Sequence, residues 1–291
     1  MNETELYHGY DRAALDAQYD NRARHPEHTE IHAAWTADGE AVLADIGHRL
    51  DVAYGPSAEE TLDIYLPGDA ERAPINVFLH GGYWYSRDKD DFRFIARGVV
   101  PGGGVSVVVN YALVPSVDLD ELVRQCRAAI AWTYANAESF GGDRDRLFVS
   151  GHSAGGHLTA MMLATDWPAF ADGLPRDLVK GGTAVSGIYD LAPIRLCYLQ
   201  DTLGLTEDQA ERLSPLAMTP ATDGPLIVAV GGGETEEFIR HAEALAGAWG
   251  KAGADCRMMV RPGLNHFTIL GELADGSSAL GRAVLDQMGL G

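Results

Sequence analysis

The sequence predicts an α/β fold built on a mostly parallel sheet of eight strands, with helices on both faces. Short runs rich in β-branched residues alternate with helical patterns from about residue 48 onward. Several of these runs are almost continuously apolar, as strands buried on both faces of a parallel sheet are. A chain of 291 residues is long enough to hold all eight strands in a single domain, residues 1–291.

The predicted strands are separated by segments that leave room for helical crossovers. The two longest helical patterns cover residues 118–137 and 234–253. The eight strand segments are RLDVAY (49–54), TLDIYL (61–66), INVFLH (75–80), VSVVVNY (105–111), RLFVSG (146–151), GTAVSG (182–187), LIVAVG (226–231) and CRMMV (256–260).

Two regions lie outside this alternation. Residues 1–47 have a helical pattern and precede the sheet, and residues 190–220 form a long insertion between two strands. Insertions at the carboxyl edge of a parallel sheet often cover a site, so we expect a small helical cap from the insertion. The N-terminal extension is a second candidate for a cap, with structural padding as its alternative.

The composition limits the class of partner. Lys and Arg number 22 against 42 Asp and Glu, so the formal charge is −20, which repels nucleic acid and anionic membrane surfaces. The N-terminus MNETELYHGYDR has no basic region followed by an apolar stretch, and the three cysteines form no C-x-x-C pair. We therefore expect a cytoplasmic, disulfide-free protein that acts on a small molecule, with a homodimer left open.

Residues 151–155 read GHSAG and match the pattern G-x-S-x-G, with Ser153 at its centre. The run RLFVSG before it predicts a strand and AGGHLTAMMLAT after it a helix, which is the context that this motif requires. Flanking glycines allow a turn too tight for a Cβ, so the hydroxyl stands clear of the sheet edge. The pattern indicates a nucleophile, with a glycine-rich turn carrying an incidental serine as the alternative.

A second glycine motif, HGG at residues 80–82, follows the apolar run INVFL. Acyl transfer needs N–H donors aimed at the oxygen that becomes negative in the tetrahedral intermediate. Gly81 and Gly82 let the backbone approach a substrate with its N–H groups turned inward. We expect the backbone N–H groups of Gly82, Tyr83 and Ala154 to bind the oxyanion, each contributing ~3 kcal/mol.

The general base has to reach the serine from outside the turn and be held by a carboxylate through its other nitrogen. His266 fits best, because residues 256–267 read as a strand, a Pro-Gly turn and a histidine that opens the last helical region. His152 lies inside the turn and His157 in the first turn of the next helix, so both are predicted to pack. His241 lies mid-helix among Ala and Glu and is predicted to be at the surface.

The predicted acid is Glu234, which comes just after a buried strand and three glycines. The order Ser153, Glu234, His266 is the one expected for this type of site. Asp190, after the preceding strand, is an alternative, as are Glu236 and Glu237. The latter two fit more simply in the first turn of the following helix, where acidic residues suit the helix dipole.

No metal or cofactor is expected from the sequence. His25, His28 and His32 have a spacing that could place them on one side of a helix, but no carboxylate pattern completes a metal site. The glycines at residues 231–233 lack the spacings of phosphate-binding loops.

Six motifs occur in order over roughly residues 48–270: HGGYW (80–84), NYALVP (110–115), GHSAGGHL (151–158), SGIYDLAPI (186–194), LTEDQAERLSPL (205–216) and NHF (265–267). The combination of HGG-x-W, SG-x-YDL-x-P and SPL is much more specific than G-x-S-x-G. Taken together, the motifs resemble the kynurenine formamidase (arylformamidase) group of the α/β-hydrolase fold, and the wider group of carboxylesterases that share HGG-x-W.

This resemblance implies hydrolysis of N-formyl-kynurenine to kynurenine and formate through Ser153, Glu234 and His266. A carboxylesterase of broad specificity, acting on small aryl or alkyl esters, is the alternative, and a hydrolase-fold binding protein without catalysis is a third. An aromatic pocket for an aryl substrate is expected from Tyr83, Trp84, Tyr85 and Tyr198, with core packing as the alternative for some of them, particularly Trp84. Because a neutral histidine of reference pKa ~6.5 is the base, activity should rise as the pH increases through that range.

Overall fold

The computed structural model describes residues 5–291, which form one eight-stranded sheet in the order β1-β2-β4-β3-β5-β6-β7-β8. The first two strands are antiparallel to each other, and β2 is antiparallel to β4. All other neighbours are parallel, so the prediction of a mostly parallel sheet is confirmed. The strands are β1 (Gly47–Ala53), β2 (Thr61–Leu66), β3 (Ala73–Leu79), β4 (Val105–Val109), β5 (Gly142–His152), β6 (Gly182–Val185), β7 (Leu226–Gly231) and β8 (Cys256–Arg261).

Helices cover both faces of this sheet. The α-helices are α1 (Arg12–Tyr19), α2 (Asn21–Arg24), α3 (His28–Asp45), α4 (Ala96–Val99), α5 (Leu119–Asn136), α6 (Ala154–Leu163), α7 (Trp167–Phe170), α8 (Ala192–Leu196), α9 (Gln200–Leu203), α10 (Glu207–Arg212), α11 (Glu236–Lys251), α12 (Ile269–Leu273) and α13 (Ala279–Gln287). Short 3₁₀ segments occur at Lys89–Ile95, Val100–Gly102, Ala137–Phe140 and Pro215–Ala217.

The central strands are buried on both faces, as their continuous apolar sequence predicts. In β3, Ile75, Val77 and Leu79 join one hydrophobic cluster with α5, α6 and α11. Phe78, which points the other way because side chains alternate along a strand, joins a second cluster with α3, α12 and α13. The core therefore consists of two apolar layers, one on each side of the sheet.

All eight predicted strands are present, with ends shifted by a few residues. The largest shift is in β5. The sequence predicts its start at residue 146, but the strand begins at Gly142 because this residue already pairs with Ala73 of β3. The long helical patterns correspond to α5 and α11, each slightly shorter than predicted.

The N-terminal extension forms the three helices α1, α2 and α3 between Arg12 and Asp45, so its predicted helical character is confirmed there, and residues 1–4 lie outside the described part of the chain. The insertion at residues 190–220 forms α8, α9 and α10. It contacts the extension where the N–H of Tyr198 donates to a carboxylate oxygen of Asp16 at 2.7 Å. The function of either segment as a cap, and the assignment of the whole chain to one domain, stay predictions.

Two further observations concern membrane-spanning helices and the pairing of cysteines. Between residues 5 and 291, no helix is long and apolar enough to cross a membrane. Cys126, Cys197 and Cys256 are all free thiols, and Cys126 lies fully buried in the core, as its apolar helical context predicts.

Candidate active site

Ser153 lies in the tight turn between β5, which ends at His152, and α6, which begins at Ala154. Its backbone has φ +58° and ψ −119°, a left-handed conformation that costs a non-glycine residue free energy and recurs at functional sites. The N–H of Ser153 donates to the carbonyl of Val185 at 2.9 Å, which ties the turn to the end of β6. The side chain is thereby fixed at the carboxyl edge of the sheet.

The glycines around the serine are required by close packing of backbone against backbone. A Cβ at Gly155 would lie 1.9 Å from the carbonyl oxygen of Leu79, and one at Gly151 would lie 2.2 Å from that of Gly155. Any larger residue would push α6 away from β3. The G-x-S-x-G pattern is thus needed for the turn itself.

His266 lies in the turn between β8 and α12 and faces the serine. Its Nε2 is 3.0 Å from Ser153 Oγ, within hydrogen-bond distance. The turn is fixed by Asn265, whose side-chain oxygen accepts the backbone N–H groups of Phe267 and Thr268, both at 2.9 Å. His266 is only 3% exposed, so its imidazole is held in place by the surrounding packing.

Glu234 completes a chain of hydrogen bonds that ends at the serine. Its Oε2 lies 2.7 Å from Nδ1 of His266. Its Oε1 accepts the N–H of Gly231 at 2.7 Å and the hydroxyl of Ser186 at 2.5 Å. Because a carboxylate only accepts hydrogen bonds, Nδ1 of His266 carries the proton and Nε2 is left free to accept the proton of Ser153.

The loop that follows β3 lies directly against the serine. A Cβ at Gly81 would be 3.2 Å from Cβ of Ser153, and Gly82 has φ +122°, which a side chain rarely tolerates. The next two residues, Tyr83 and Trp84, are also left-handed, with φ +50° and +62°. This run of unusual conformations brings the backbone of the loop alongside Ser153, where the sequence predicts the oxyanion donors.

Two buried histidines brace this loop. The ring of His80 stacks on Tyr111 with centroids 4.1 Å apart, and the hydroxyl of Tyr111 donates to the carbonyl of His80 at 2.6 Å. Nδ1 of His157 accepts the indole N–H of Trp84 at 3.2 Å, while its Nε2 donates to the carbonyl of Leu213 at 2.8 Å. Burial lowers the pKa of both histidines to about 4, so both are neutral near pH 7.

A cavity of about 50 Å³ opens beside the serine. Of the predicted pocket residues, Gly81, Gly82 and Tyr83 line it. Trp84 is instead fully buried against His157, and Tyr198 does not reach the cavity but donates from its hydroxyl to the carbonyl of Tyr19 at 3.3 Å. The lining residues are Asn21, Arg22, His32, Trp35, Gly81, Gly82, Tyr83, Arg87, Phe92, His152, Ser153, His266 and Phe267.

The remaining candidate residues lie away from the serine or do not act on it. His152 donates from Nε2 to the backbone carbonyl of His266 at 2.7 Å, and burial holds its pKa well below the usual range. Asp190 accepts the hydroxyl of Tyr7 at 2.8 Å and makes no contact with His266. Glu236 and Glu237 occupy the first turn of α11, as predicted.

The prediction for His241 is wrong. Its side chain is completely buried, with Nε2 3.0 Å from the hydroxyl of Tyr19 and Nδ1 accepting the N–H of Tyr189 at 3.3 Å. The Ala and Glu neighbours of His241 suggested an exposed helix face, but α1 packs over that face and buries it.

The three N-terminal histidines lie around the ring of Phe267, with ring centroids 6.2, 5.9 and 5.3 Å from it for His25, His28 and His32. Nδ1 of His28 lies 2.9 Å from the carbonyl of His25, and His32 contacts the guanidinium of Arg87. Across residues 5–291, no group of three or more His, Cys, Asp or Glu side chains is arranged to hold a metal ion.

Several residues of the site were not predicted. Ser186, which donates to Glu234, directly follows β6 at the carboxyl edge, with φ +50°, and its position after a buried strand was a usable signal. Asn21, Arg22 and Trp35 reach the cavity from the N-terminal helices. No pattern in the sequence links that segment to the sheet edge.

Comparison with known proteins identifies relatives among formamidases and esterases. A family profile described as BD-FAE matches residues 62–194. The kynurenine formamidase of Danio rerio is 35% identical over 246 residues, which cover 82% of this chain and 82% of that protein. The esterase LipC of Mycobacterium tuberculosis is 34% identical over 147 residues, covering 49% of this chain and 36% of that protein.

A crystal structure from Silicibacter sp. TM1040 superposes with a TM-score of 0.81 at 29% identity, covering 92% of this chain and 97% of the other. The sheet order, the serine turn and the level of identity to the Danio rerio protein over most of both chains lead to one assignment. The chain is a hydrolase of the α/β-hydrolase fold and belongs to the kynurenine formamidase family.

Proposed function

We propose that the protein hydrolyses an aryl-formamide, N-formyl-kynurenine, to kynurenine and formate through a formyl-enzyme on Ser153. The observation that carries this proposal is the unbroken chain of hydrogen bonds from Glu234 through His266 to Ser153. Burial of all three side chains keeps water from competing for these bonds.

In the first half-reaction, Nε2 of His266 takes the proton of Ser153 while the serine oxygen attacks the formyl carbon. The carbonyl oxygen becomes an oxyanion and accepts the backbone N–H groups of Gly82, Tyr83 and Ala154. The imidazolium, held by the charge of Glu234, then gives its proton to the departing amine nitrogen. The C–N bond breaks and the formyl group stays on the serine oxygen as an ester.

In the second half-reaction, water takes the place of the amine. His266 accepts a proton from the water as its oxygen attacks the formyl carbon, and the oxyanion forms at the same donors. Collapse of this intermediate breaks the bond to Ser153, whose oxygen regains the proton from His266. Formate leaves and the enzyme is restored.

The size of the cavity supports a small acyl group. A cavity of about 50 Å³ has room for only a few water molecules, so it suits a formyl or short acyl group better than a long acyl chain. A carboxylesterase that acts on short esters is the second candidate, supported by the similarity to LipC. We also propose a cytoplasmic location, which the three free thiols support.

The test compares kcat/KM for N-formyl-kynurenine with kcat/KM for short-chain aryl esters. We expect N-formyl-kynurenine to be the better substrate. Turnover of the esters without turnover of N-formyl-kynurenine would replace the formamidase with the esterase. Ser153→Ala should abolish both activities, while the exposed serine in Ser277→Ala provides the matched control.

A further inference from the structure

The mouth of the cavity beside Ser153 carries positive charge. Arg22 and Arg87 both line the cavity. Arg22 is exposed, and within residues 5–291 its guanidinium forms no ion pair with a carboxylate. In a protein of net charge −20, an arginine left without an acidic partner at a cavity is a local site at which an anion can be held.

Arg87 is held in place in a way that preserves its charge. Its backbone has φ +75°, and its Cγ would lie 3.1 Å from a Cβ at Gly82, so the side chain packs against the loop beside the serine. The guanidinium donates to the ring of His32 at 2.5 Å, and it forms a long ion pair with Asp91 at 3.5 Å. Burial, with Arg87 nearby, lowers the pKa of His32 to about 4, so this partner is neutral near pH 7.

Asn21 supplies a buried acceptor at the same cavity. Asn21 is 3% exposed and lines the cavity, and its Nδ2 donates to the hydroxyl of Tyr83 at 3.1 Å. Its Oδ1 has no hydrogen-bond partner among the described residues, although it is buried. A buried amide oxygen without a partner costs free energy that a donor on a ligand would recover.

The small volume of the cavity determines which part of a substrate contacts Arg22, Arg87 and Asn21. The cavity beside the serine takes only a small acyl group, so the rest of the substrate has to extend to the mouth, where Arg22 is exposed. Arginine binds a carboxylate through two parallel N–H donors, which gives both affinity and orientation.

We propose that Arg22 and Arg87 form a carboxylate subsite for the leaving group, with Oδ1 of Asn21 accepting an N–H of the same substrate. The enzyme therefore prefers acyl compounds whose leaving group carries a carboxylate over neutral ones of the same shape. This inference rests on the proposed function. N-formyl-kynurenine, which ends in an amino-acid group, has the required carboxylate.

The test uses two probes that share one scissile bond: the acetate ester of para-hydroxyphenylpropanoate, and the same ester with a carboxamide in place of the carboxylate. The measured quantity is the ratio of their kcat/KM values. We expect the wild type to favour the anionic probe about ten-fold, as a charge-assisted hydrogen bond allows. Arg22→Met should bring the ratio close to one.

Two controls isolate the charge of Arg22. Arg24→Met removes an exposed arginine from the same helix that does not line the cavity, and it should keep the wild-type ratio. Raising NaCl from about 0.05 to about 0.5 M should lower the ratio in the wild type, since the interaction is partly exposed and salt screens it.

The outcomes separate this inference from the proposed function. If the wild type hydrolyses both probes equally well and Ser153→Ala abolishes both activities, the carboxylate subsite is wrong and the serine hydrolase stands. An unchanged ratio in Arg22→Met leads to the same conclusion. If N-formyl-kynurenine and both probes are all left intact, or if Ser153→Ala retains activity, the proposed function itself fails and the subsite with it.

Discussion

Replacing Glu234 by glutamine tests the site through the protonation of His266. Oε1 of Glu234 faces the backbone N–H of Gly231, a donor that cannot turn away. A glutamine therefore places its amide oxygen at this position and its NH₂ group toward Nδ1 of His266. Nδ1 must then accept a hydrogen bond, which moves the ring proton to Nε2, where it faces Ser153.

A histidine with its proton on Nε2 cannot take the serine proton. We expect kcat of Glu234→Gln to fall about 10⁴-fold, equivalent to about 5.5 kcal/mol of transition-state stabilisation. Glu234→Asp keeps the charge but shortens the side chain by one methylene group, so a smaller loss of about 10- to 100-fold is expected.

The assay is kcat on N-formyl-kynurenine at about pH 8, where a free imidazole is neutral, with circular dichroism to confirm folding. Asp190→Asn is the matched control, because Asp190 bonds Tyr7 rather than His266, and it should leave kcat close to the wild-type value. A folded Glu234→Gln enzyme that keeps kcat within about ten-fold of wild type would refute the assignment of the acid.

Three further outcomes follow from the buried polar groups. Ser186→Ala removes a hydrogen bond to a charged acceptor, Glu234, so kcat should fall by at least about ten-fold, and steady-state kinetics without a decrease would contradict this role. His241→Leu leaves a buried backbone N–H unpaired, so urea titration should show a loss of about 1–3 kcal/mol in the free energy of unfolding, with kcat retained. Burial lowers the pKa of His80 and His157 to about 4, so the unfolded chain takes up protons first as the pH falls. The free energy of unfolding should have its full value above pH ~6.5 and fall between pH ~6.5 and ~4 by up to about 3 kcal/mol per histidine. A urea midpoint that stays constant over this range would contradict this prediction.

The three residues of the hydrogen-bonded chain from Glu234 through His266 to Ser153 could be predicted because their signals are local. Ser153 lies in a glycine turn between an apolar strand and a helix, and both features are visible in a short stretch. Glu234 and His266 each follow a strand, and the carboxyl ends of parallel strands meet at one edge of the sheet. Once the strands are placed in the sheet, the topology predicts that these residues lie close together.

The pocket could not be predicted in the same way, because it depends on contacts between distant parts of the chain. The N-terminal helices are fixed by pairs such as the hydroxyl of Tyr83 and the carbonyl of Tyr19, 2.5 Å apart. No periodicity in either segment indicates this pairing. The prediction that His241 lies at the surface is wrong for the same reason, because the residues that bury it come from α1 and from the segment after β6.

The residues that we propose for the reaction and the residues at the mouth of the cavity come from different parts of the chain. The residues that we propose for the reaction, Ser153, Glu234 and His266, come from the ends of β5 and β7 and the turn after β8, and all three side chains are buried. Residues at the mouth of the cavity, such as Asn21 and Arg22, come from the N-terminal helices, which precede the first strand of the sheet. Substitutions in that segment can therefore change which compounds enter while the reaction they meet stays the same.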